Sequence, residues 1–394
     1  MRVLQLNKYF YPPHLGGIEQ SLLMLSRELA SREGTAVTAI VANEGSATVR
    51  ETVEGVDVLR VGRLLAYAST PIALGYRRAL RREALGGGAT APVAGPAAPP
   101  ADVVHMHFPY PWGEVAWLSS GLDTPSVLTY HSDIVRQRFL GTLYGPVLRR
   151  VLDRVDRIVV GSPQMIEISP FLAPHAAKCR VVPFAIDTDT YAGTAQSRVR
   201  AEQLRAGHQR PIVLFVGRFV YYKGVHVLLE AMRPLDADLV LIGSGPLEAE
   251  MREYCRATGI ADRVTFVPPQ PLPELVAWYH AADVFCLPSV AASEAYGLVQ
   301  LEAHAAGTPV VSTRLPTGVP FVNEDGVTGL TVPVGDADAL ARALRTLLSD
   351  DALRARLGAA ARDRALTQFT VPRMVDRIVD VYDEAVSLKG RGRR

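Results

Sequence analysis

Two carboxylates and two cations are the residues of this sequence whose spacing most clearly suggests chemistry. Glu294 and Glu302 stand eight positions apart in SEAYGLVQLEAHAAGTPVV, a stretch that is otherwise mostly small and apolar. On one unbroken helix their Cα atoms would lie roughly 12 Å apart and be rotated by about 80°. The paired carboxyls of a retaining glycoside hydrolase lie about 5 to 5.5 Å apart, so this spacing does not fit such a pair.

A helix that begins near Gly297 and ends at Gly307 fits the stretch better. Loop-type residues precede the first glycine, and a strand-like TPVV follows the second. This division places Glu294 in the loop before the helix and Glu302 within it. The two carboxylates could then bind hydroxyls at either end of one ligand. The equally weighted alternative is a solvated loop glutamate and a partly exposed helix glutamate.

The start of this helix and the two cations predict an anion site. The backbone N–H groups of Tyr296, Gly297 and Leu298 have no partner inside the helix and can hold an anion. Arg218 and Lys223 follow the strand-like IVLFVG. Fixed cations there would stabilise the charge of a leaving phosphate more in the transition state than in the ground state. A pair of solvated surface cations is the less favoured alternative.

The elements that must position these residues alternate between strand and helix patterns along the whole chain. This alternation predicts the α/β class, and 394 residues exceed the size at which one core stops growing. We therefore expect two Rossmann-like doubly wound domains facing a cleft. The expected division is an N-terminal domain over 1–190, a linker over 191–210 and a C-terminal domain over 211–370. A terminal helix over 371–388 is expected to pack back on the first domain.

Composition excludes several classes of protein. The net charge of +2 argues against nucleic acid as a dominant partner. Three scattered cysteines without CxxC spacing disfavour a disulfide framework or a zinc site and fit a reducing cytosol. No run of eighteen apolar residues occurs, so no membrane-spanning helix is expected. The Gly, Ala and Pro of residues 86–100 predict a mobile loop, and the tail KGRGRR is expected to fray.

EAYGLVQLE followed by AAGTPVV resembles the C-domain signature of the GT-B retaining glycosyltransferases of sequence family 4, the group 1 glycosyltransferases, which use nucleotide-sugar donors. Further motifs similar to those of the family occur in the expected order. They are GGIEQ, TYHSD, VGRFVYYKG, LIGSGP and NEDGVTG. The resemblance covers nearly the whole chain.

The resemblance implies roles for the residues of the C-terminal domain. Arg218 and Lys223 would bind the donor phosphates together with the amides near Gly297. Glu302 would bind the ribose, and Glu294 hydroxyls of the donor sugar. No metal ion and no cofactor beyond the donor substrate is expected. Since no second carboxylate is available as a nucleophile, front-face transfer is expected, with the departing phosphate taking the proton of the acceptor.

In the N-terminal domain the loop of Gly16 and Gly17 would face the leaving group and the acceptor. His131, at the end of the strand SVLTY, would contact the donor sugar near its transferred carbon, as the matching residue of the family does. Glu19 is either an acceptor ligand or a first-turn glutamate that favours the helix dipole. His105 and His107 alternate onto one strand face, but no third metal ligand is evident, and a structural or acceptor-side role is preferred.

Two other motifs resemble ligand-binding sequences, one for a metal ion and one for a dinucleotide. We do not expect either motif to bind that ligand here. Asp187 and Asp189 form a D-x-D pattern that holds a metal in another glycosyltransferase fold. Here they lie in the inter-domain connection, where family 4 has a similar run, so metal binding is rejected. GSGPLE over 243–248 lacks the third glycine of a dinucleotide fingerprint and is placed beside the nucleotide base instead.

Resemblance to bacterial mannosyl- and rhamnosyltransferases of surface polysaccharide assembly favours a GDP-mannose type donor over UDP-glucose types. The expected acceptor is a hydroxyl of a glycan or a lipid-linked glycan. A nucleotide-sugar 2-epimerase of the same fold and an inactive glycan-binding homologue are the alternatives. The expected location is cytoplasmic, with peripheral contact at the inner face of the cell membrane through an arginine-rich helical face or, equally weighted, with that face solvated. Its residues are Arg136, Arg138, Phe139, Leu140, Leu143, Tyr144, Val147, Leu148, Arg149, Arg150, Arg154 and Arg157.

Overall fold

The computed structural model divides the chain into two compact units. It describes residues 1–13, 16–67, 70–87, 98–133 and 138–392, and the backbone alone of 67, 138–143 and 391–392. The first unit comprises Met1–Phe184 together with Val371–Arg394, and the second comprises Ala185–Thr370. Most of the predicted mobile loop over 86–100 lies outside the described residues.

Helices and strands of the first unit have the following bounds. The helices are α1 (Gly17–Ala30), α2 (Tyr76–Ala84), α3 (Pro111–Leu118), α4 (Arg138–Arg154), α5 (Pro163–Ile168) and, from the chain end, α15 (Val371–Gly392). The strands are β1 (Arg2–Leu6), β2 (Ala36–Ala42), β3 (Val49–Val53), β4 (Val56–Val61), β5 (Leu65–Tyr67), β6 (Thr70–Ile72), β7 (Val103–Phe108), β8 (Ser126–Tyr130), β9 (Arg157–Val160) and β10 (Cys179–Val181).

The second unit has nine further α-helices and six strands among its described residues. The helices are α6 (Thr188–Ala192), α7 (Ala195–Ala206), α8 (Val225–Met232), α9 (Glu248–Ala257), α10 (Leu272–Ala281), α11 (Leu298–Ala306), α12 (Val319–Val322), α13 (Ala337–Ser349) and α14 (Asp351–Gln368). The strands are β11 (Ile212–Val216), β12 (Asp238–Ile242), β13 (Val264–Val267), β14 (Val284–Leu287), β15 (Val310–Thr313) and β16 (Gly329–Val332).

The large sheet of the first unit has the strand order β10-β9-β8-β7-β1-β2-β4-β3. Every pairing is parallel except that of the edge strand β3 with β4. The chain order reverses direction between β1 and β7, where loops at the carboxyl ends diverge and leave a crevice for ligands. Gln5 lies opposite His105, and His107 lies opposite Thr129, so these polar side chains occupy neighbouring central strands.

The sheet of the second unit is wholly parallel, in the order β13-β12-β11-β14-β15-β16. Its central strands are nearly continuous apolar runs, such as IVLFV in β11, because helices cover both faces of such a sheet. The order reverses between β11 and β14, which makes the loops after these two strands the expected place for a ligand. Both sheets confirm the predicted doubly wound α/β class.

The observed units differ from the predicted boundaries around the linker. The predicted linker over 191–210 contains α7, whose first turn is closed by reciprocal hydrogen bonds between Thr194 and Ser197, and it belongs to the second unit. The terminal helix α15 belongs to the first unit, where Tyr382 is fully buried. It continues to Gly392, so the first residues of the tail expected to fray are helical.

Five short strands escape the sequence patterns. β3 is mostly exposed and reads VRETV, and β16 begins with a glycine, so neither shows an apolar run. β5, β6 and β10 have only three residues each. None of the helices that the structure describes is both long and apolar enough to cross a membrane. The three cysteines are buried and unbridged.

Candidate functional site

The loop after β11 places Arg218 and Lys223 at the reversal point of the second sheet. Arg218 is exposed, and within the described part of the chain its guanidinium makes no hydrogen bond or ion pair. Lys223 ends a single 3₁₀ turn that begins at Tyr221. The Arg218 side chain is therefore exposed to solvent, whereas the Lys223 side chain is nearly buried.

Gly224 brings this loop against the end of β14. Its φ of 66° is left-handed, and a Cβ at this position would lie 2.0 Å from the carbonyl oxygen of Pro288. The amide of Val290 donates to the carbonyl of Tyr222 at 2.8 Å and fastens the two loops together. Since only glycine allows this approach, Gly224 determines where the neighbouring Lys223 side chain lies.

Lys223 and Glu294 form a direct ion pair. The Lys223 Nζ lies 2.6 Å from Glu294 Oε2, and the side chains are only 11% and 10% exposed. The same carboxylate oxygen accepts from Ser289 Oγ at 2.9 Å. Burial opposes charge on the Lys223 ammonium, but the attraction and hydrogen bond of Glu294 outweigh it and raise the pKa of Lys223. The predicted phosphate cation and the predicted sugar carboxylate are thus in direct contact.

The helix start predicted at Gly297 is confirmed. Gly297 precedes α11 with a left-handed φ of 73°, and a Cβ there would lie 2.7 Å from Leu287 Cδ2. The amide of Gln300 already donates to the Gly297 carbonyl, whereas the N–H groups of Leu298 and Val299 find no acceptor in the described chain. Tyr296 and Gly297 precede the helix, so Leu298 and Val299 carry its first-turn amide donors.

Glu302 lies one turn further along α11 and is held by tyrosine. The Tyr279 hydroxyl donates to Glu302 Oε2 at 2.6 Å, and the glutamate is 8% exposed. Burial raises the pKa of Glu302, while hydrogen bonding to Tyr279 and Tyr191 and the charge of Lys223 work in the opposite direction. Tyr279 and Tyr191 therefore hold the carboxylate in a fixed orientation.

The D-x-D run serves as a helix cap in the structure. Asp187 accepts from the amide of Thr190 at 3.4 Å and from its hydroxyl at 3.0 Å, which starts α6. This short helix packs against α11 and α14 and carries Tyr191 to Glu302. Among the described residues, no group of three or more His, Cys, Asp or Glu side chains is arranged to hold a metal ion.

In the first unit, Gly16 and Gly17 lie at the start of α1, after β1. Gly16 caps the helix, and both glycines are exposed. Glu19 turns back over this cap, since a Cβ on Gly16 would lie 2.5 Å from Glu19 Oε2. Burial lowers the pKa of Lys8. The negative charge of Glu19 acts in the opposite direction, because it favours the charged ammonium. Glu19 therefore occupies a first-turn position that favours the helix dipole.

His131 points into the first unit and contacts His107. The His107 Nδ1 and His131 Nε2 atoms are 3.1 Å apart, and the His131 ring stacks on Phe184. His105 and His107 belong to the same buried network, in which His105 bonds Thr129 and His107 bonds Gln5. These buried hydrogen bonds are compatible with the structural one of the two predicted roles, and an acceptor-side role of the two strand histidines stays a prediction.

The arginine-rich face predicted for membrane contact is only partly described. Arg136 and the side chains of Arg138, Phe139, Leu140 and Leu143 lie outside the described residues. Of the rest, Leu148 is core, Arg154 donates to the Leu118 and Leu122 carbonyls, and Arg157 pairs with Glu384. Arg149 and Arg150 are exposed. The described part of the face is smaller than the sequence pattern suggests.

Several positioning groups were missed by sequence reasoning. Ser289 stands directly after β14 in the LPSV run, where a hydroxyl at a strand end was an available signal. The other four groups stand in ordinary core patterns and carry no local signal of their partners. They are Gln5, Tyr191, Tyr279 and Tyr382.

Comparison with known families agrees with this geometry. The family model of Glycosyl transferases group 1 matches residues 197–364, and that of Glycosyltransferase Family 4 matches residues 15–190. O-antigen chain mannosyltransferase C of Escherichia coli is 33% identical and covers 99% of this chain and 100% of its own length. D-rhamnosyltransferase WbpZ of Pseudomonas aeruginosa is 33% identical over 94% of this chain and 92% of its own.

A solved structure shows the same architecture. A sucrose-phosphate synthase from Thermosynechococcus elongatus superposes with a TM-score of 0.78 at 25% identity, covering 98% of this chain and 99% of that one. The predicted GT-B arrangement of two Rossmann-like domains is therefore confirmed. The chain belongs to the group 1 glycosyltransferases of family 4.

Proposed function

We propose that this glycosyltransferase is a retaining, metal-independent hexosyltransferase. It moves a hexose from a nucleoside-diphosphate sugar to a hydroxyl of a glycan or a lipid-linked glycan. A GDP-mannose type donor is favoured, because two relatives that are similar over nearly their full length are a mannosyltransferase and a D-rhamnosyltransferase. UDP-glucose types are the second choice.

The proposal rests on residues that lie together where the strand order of the second sheet reverses, between β11 and β14. The Lys223–Glu294 pair and the free amides that start α11 stand on loops fastened to each other. The amides and the cations Arg218 and Lys223 suit a diphosphate. When the diphosphate arrives, Lys223 has two anionic partners, and Glu294 can then accept from sugar hydroxyls while Ser289 still holds it.

The reaction follows from these roles. The bond between the anomeric carbon and the phosphate oxygen breaks, and the bond to the acceptor oxygen forms on the same face of the sugar. The acceptor proton passes to an oxygen of the departing diphosphate. Arg218, Lys223 and the amides of Leu298 and Val299 would stabilise the negative charge that develops on this leaving group. Glu302, which Tyr279 orients, would bind the ribose.

A donor panel tests the proposal. GDP-mannose, GDP-rhamnose, UDP-glucose and ADP-glucose are each incubated with the protein and a glycan acceptor, and released nucleoside diphosphate is measured. We expect release that depends on both donor and acceptor and an α-linked product from an α-configured donor, read by proton NMR. Acceptor-independent release would point to an epimerase or a hydrolase, and no release from any donor would favour an inactive homologue. Inversion at the anomeric carbon would exclude the retaining mechanism.

The cytoplasmic location and a peripheral contact with the membrane are also part of the proposal. The exposed Arg149 and Arg150 on α4 are the described cations that would meet anionic lipid. Sedimentation with vesicles that contain anionic lipid, compared with neutral vesicles, tests this contact. Replacement of both arginines by glutamine should reduce the bound fraction, and binding that is equal for the two vesicle types would contradict it.

A further inference from the structure

The network around His131 joins three strands of the first unit to the terminal helix α15. His107 Nε2 lies 2.9 Å from Gln5 Oε1, and Gln5 Nε2 lies 3.2 Å from the Tyr382 hydroxyl. That hydroxyl lies 2.7 Å from His105 Nδ1. All these side chains are buried, with His131 the most exposed at 7%. A residue of the chain end is thus connected by hydrogen bonds to the predicted sugar-contacting histidine.

Each histidine of the network is neutral. Burial lowers the pKa of His105 and His131 to about 3 and that of His107 well below its usual range. A neutral imidazole has one N–H donor and one acceptor nitrogen. Every hydrogen bond of such a ring therefore determines the role of its other nitrogen.

The amide of Gln5 determines the direction of the branch that leads to His131. Its carbonyl oxygen can only accept, so His107 carries its proton on Nε2. The Nδ1 of His107 is then an acceptor, and the bond of 3.1 Å must come from the N–H at His131 Nε2. His131 is left with an unprotonated Nδ1.

The second branch agrees with this direction. Gln5 donates to the oxygen of Tyr382, so the proton of that hydroxyl is free to point at His105 Nδ1. The Nε2–H of His105 then donates to Thr129 Oγ1 at 2.7 Å. The assignment leaves no two donors or two acceptors facing each other anywhere from Thr129 to His131.

The Nδ1 of His131 is the ring nitrogen that this network leaves unused. It accepts no hydrogen bond from the described residues, whereas Nε2 faces His107. The residue as a whole keeps 7% exposure. An unprotonated nitrogen accepts from a hydroxyl and cannot donate to a phosphate oxygen.

We propose that Gln5, His107 and Tyr382 are positioning residues that keep His131 as the Nε2–H tautomer, so that its Nδ1 accepts a hydrogen bond from a sugar hydroxyl. The part that concerns the sugar rests on the proposed function. The part that concerns the tautomer depends only on the buried network. The two parts therefore fail separately.

The tautomer is read by ¹⁵N-histidine NMR of the full chain without ligand, with the His131 signals assigned from their loss in His131→Gln. We expect the pattern of a protonated Nε2 and an unprotonated Nδ1 between pH 6 and 8. A protonated Nδ1 in the wild-type protein would overturn the proposal.

Two substitutions test whether the hydrogen-bonded network controls the tautomer of His131. They remove groups at different distances from His131 within that network. Gln5→Met removes the acceptor of His107, and Tyr382→Phe removes the acceptor of Gln5. In both variants a buried N–H group would lose its partner unless the hydrogen bonds between Gln5 and His131 all reverse their direction. That reversal puts the proton of His131 on Nδ1. We expect the tautomer ratio to shift towards Nδ1–H by about tenfold, since an orphaned buried donor costs about 1–3 kcal/mol.

Tyr76→Phe is the matched control. Tyr76 is also fully buried in the first unit, and its hydroxyl donates to the Ile40 carbonyl at 2.6 Å, apart from the network. We expect no change of the His131 tautomer in this variant. An unchanged tautomer in Gln5→Met and Tyr382→Phe, or an equal change in Tyr76→Phe, would show that the network has no positioning role.

The sugar contact is tested with the donor that the panel identifies. Gln5→Met should lower kcat/KM about tenfold, the effect expected for one lost hydrogen bond. A reversed tautomer with unchanged kcat/KM would overturn the role of Nδ1 towards the sugar. If no donor is consumed by the wild-type protein, the proposed function fails, whereas the NMR result still decides the tautomer.

Discussion

The Lys223 ammonium lies 2.6 Å from the Glu294 carboxylate, and both side chains are nearly buried. A buried charge that loses its partner is costly, because it can neither be solvated nor neutralised by its neighbour. This pair therefore links the stability of the second unit to the residues that we expect to bind the donor.

Lys223→Met should destabilise the protein by about 3–5 kcal/mol, since Glu294 is left buried without a cation. The double variant Lys223→Met with Glu294→Gln should recover most of this free energy of unfolding in urea titrations. Both variants should lose at least tenfold in kcat/KM, about 1.4 kcal/mol of barrier. Recovery of activity in the double variant, or a smaller loss in the single one, would contradict the phosphate role.

Lys389→Met is the control for removal of an exposed ion pair. Lys389 lies 2.7 Å from Asp123, and the side chains are 30% and 66% exposed. Exposed pairs contribute about 0–1 kcal/mol, so this variant should change stability little and activity not at all.

Tyr279→Phe should make donor binding depend on pH. Burial already raises the pKa of Glu302, and the tyrosine hydroxyl stabilises its ionised form. Loss of a hydrogen bond to a charged group costs about 1.5–3 kcal/mol, so the pKa of Glu302 should rise further in the variant. Because the protonated form accepts ribose hydroxyls poorly, the donor KM of the variant should rise as the pH falls from 8 to 6.

The donor KM is measured across this range for wild type, Tyr279→Phe and Tyr254→Phe. Tyr254 also donates to a glutamate, Glu230, and neither of these residues is among those proposed to bind the donor. The control profile should match wild type. A Tyr279→Phe profile that superimposes on the wild-type profile would exclude a ligand role for ionised Glu302.

Gly297→Ala should destabilise the protein more than the same substitution at a left-handed glycine that has no neighbouring atoms. Its φ is 73°, and the new methyl group would lie 2.7 Å from Leu287 Cδ2 and 2.8 Å from Gln300 Nε2. Gly335 has a φ of 75° with nothing within 4 Å, so Gly335→Ala reports the backbone strain alone. Strain of this kind costs about 1–3 kcal/mol.

The difference between the two alanine variants in urea unfolding isolates the clash at the start of α11. We expect Gly297→Ala to be the less stable by at least about 1 kcal/mol, the cost of overpacking a core. Equal losses in the two variants would mean that the helix start has room for a side chain.

Glu114 should make stability fall as the pH rises. Burial raises the pKa of this carboxyl from 4.5 to about 8, although Tyr110 donates its amide to Oε1 at 2.8 Å. Between these two pH values the folded protein keeps a proton that the unfolded chain releases. The stabilisation is complete below pH 4.5 and is lost by up to about 1.4 kcal/mol per pH unit as the pH rises towards 8.

Glu114→Gln removes this titration and keeps the acceptor for the Tyr110 amide. Its free energy of unfolding relative to wild type should therefore increase steadily from pH 5 to pH 8. Glu33→Gln, at an exposed position after α1, is the control variant measured beside it. A flat difference for Glu114→Gln would place an ionised carboxylate in the fold at neutral pH.

The pattern of α11 illustrates what could be predicted locally. The bounds of the helix depend on two glycines and on the apolar run between them, and the structure places both glycines as caps. The central strands of both sheets were also readable, because parallel strands covered on both faces are continuous apolar runs, whereas the edge strands β3, β10 and β16 were missed. β16 and α7 were missed because a glycine and a polar composition conceal them.

The sequence by itself determined the fold class, the family and the loops that carry the charged residues, since motif order and apolar runs are local properties of a chain. It did not determine which of these residues pair. Contact between Lys223 and Glu294 requires the close approach at Gly224, and the orientation of Glu302 requires Tyr279 from another helix. Only the tertiary structure decided these contacts and the inward orientation of His131, because burial and hydrogen-bond partners arise from residues far apart in the chain.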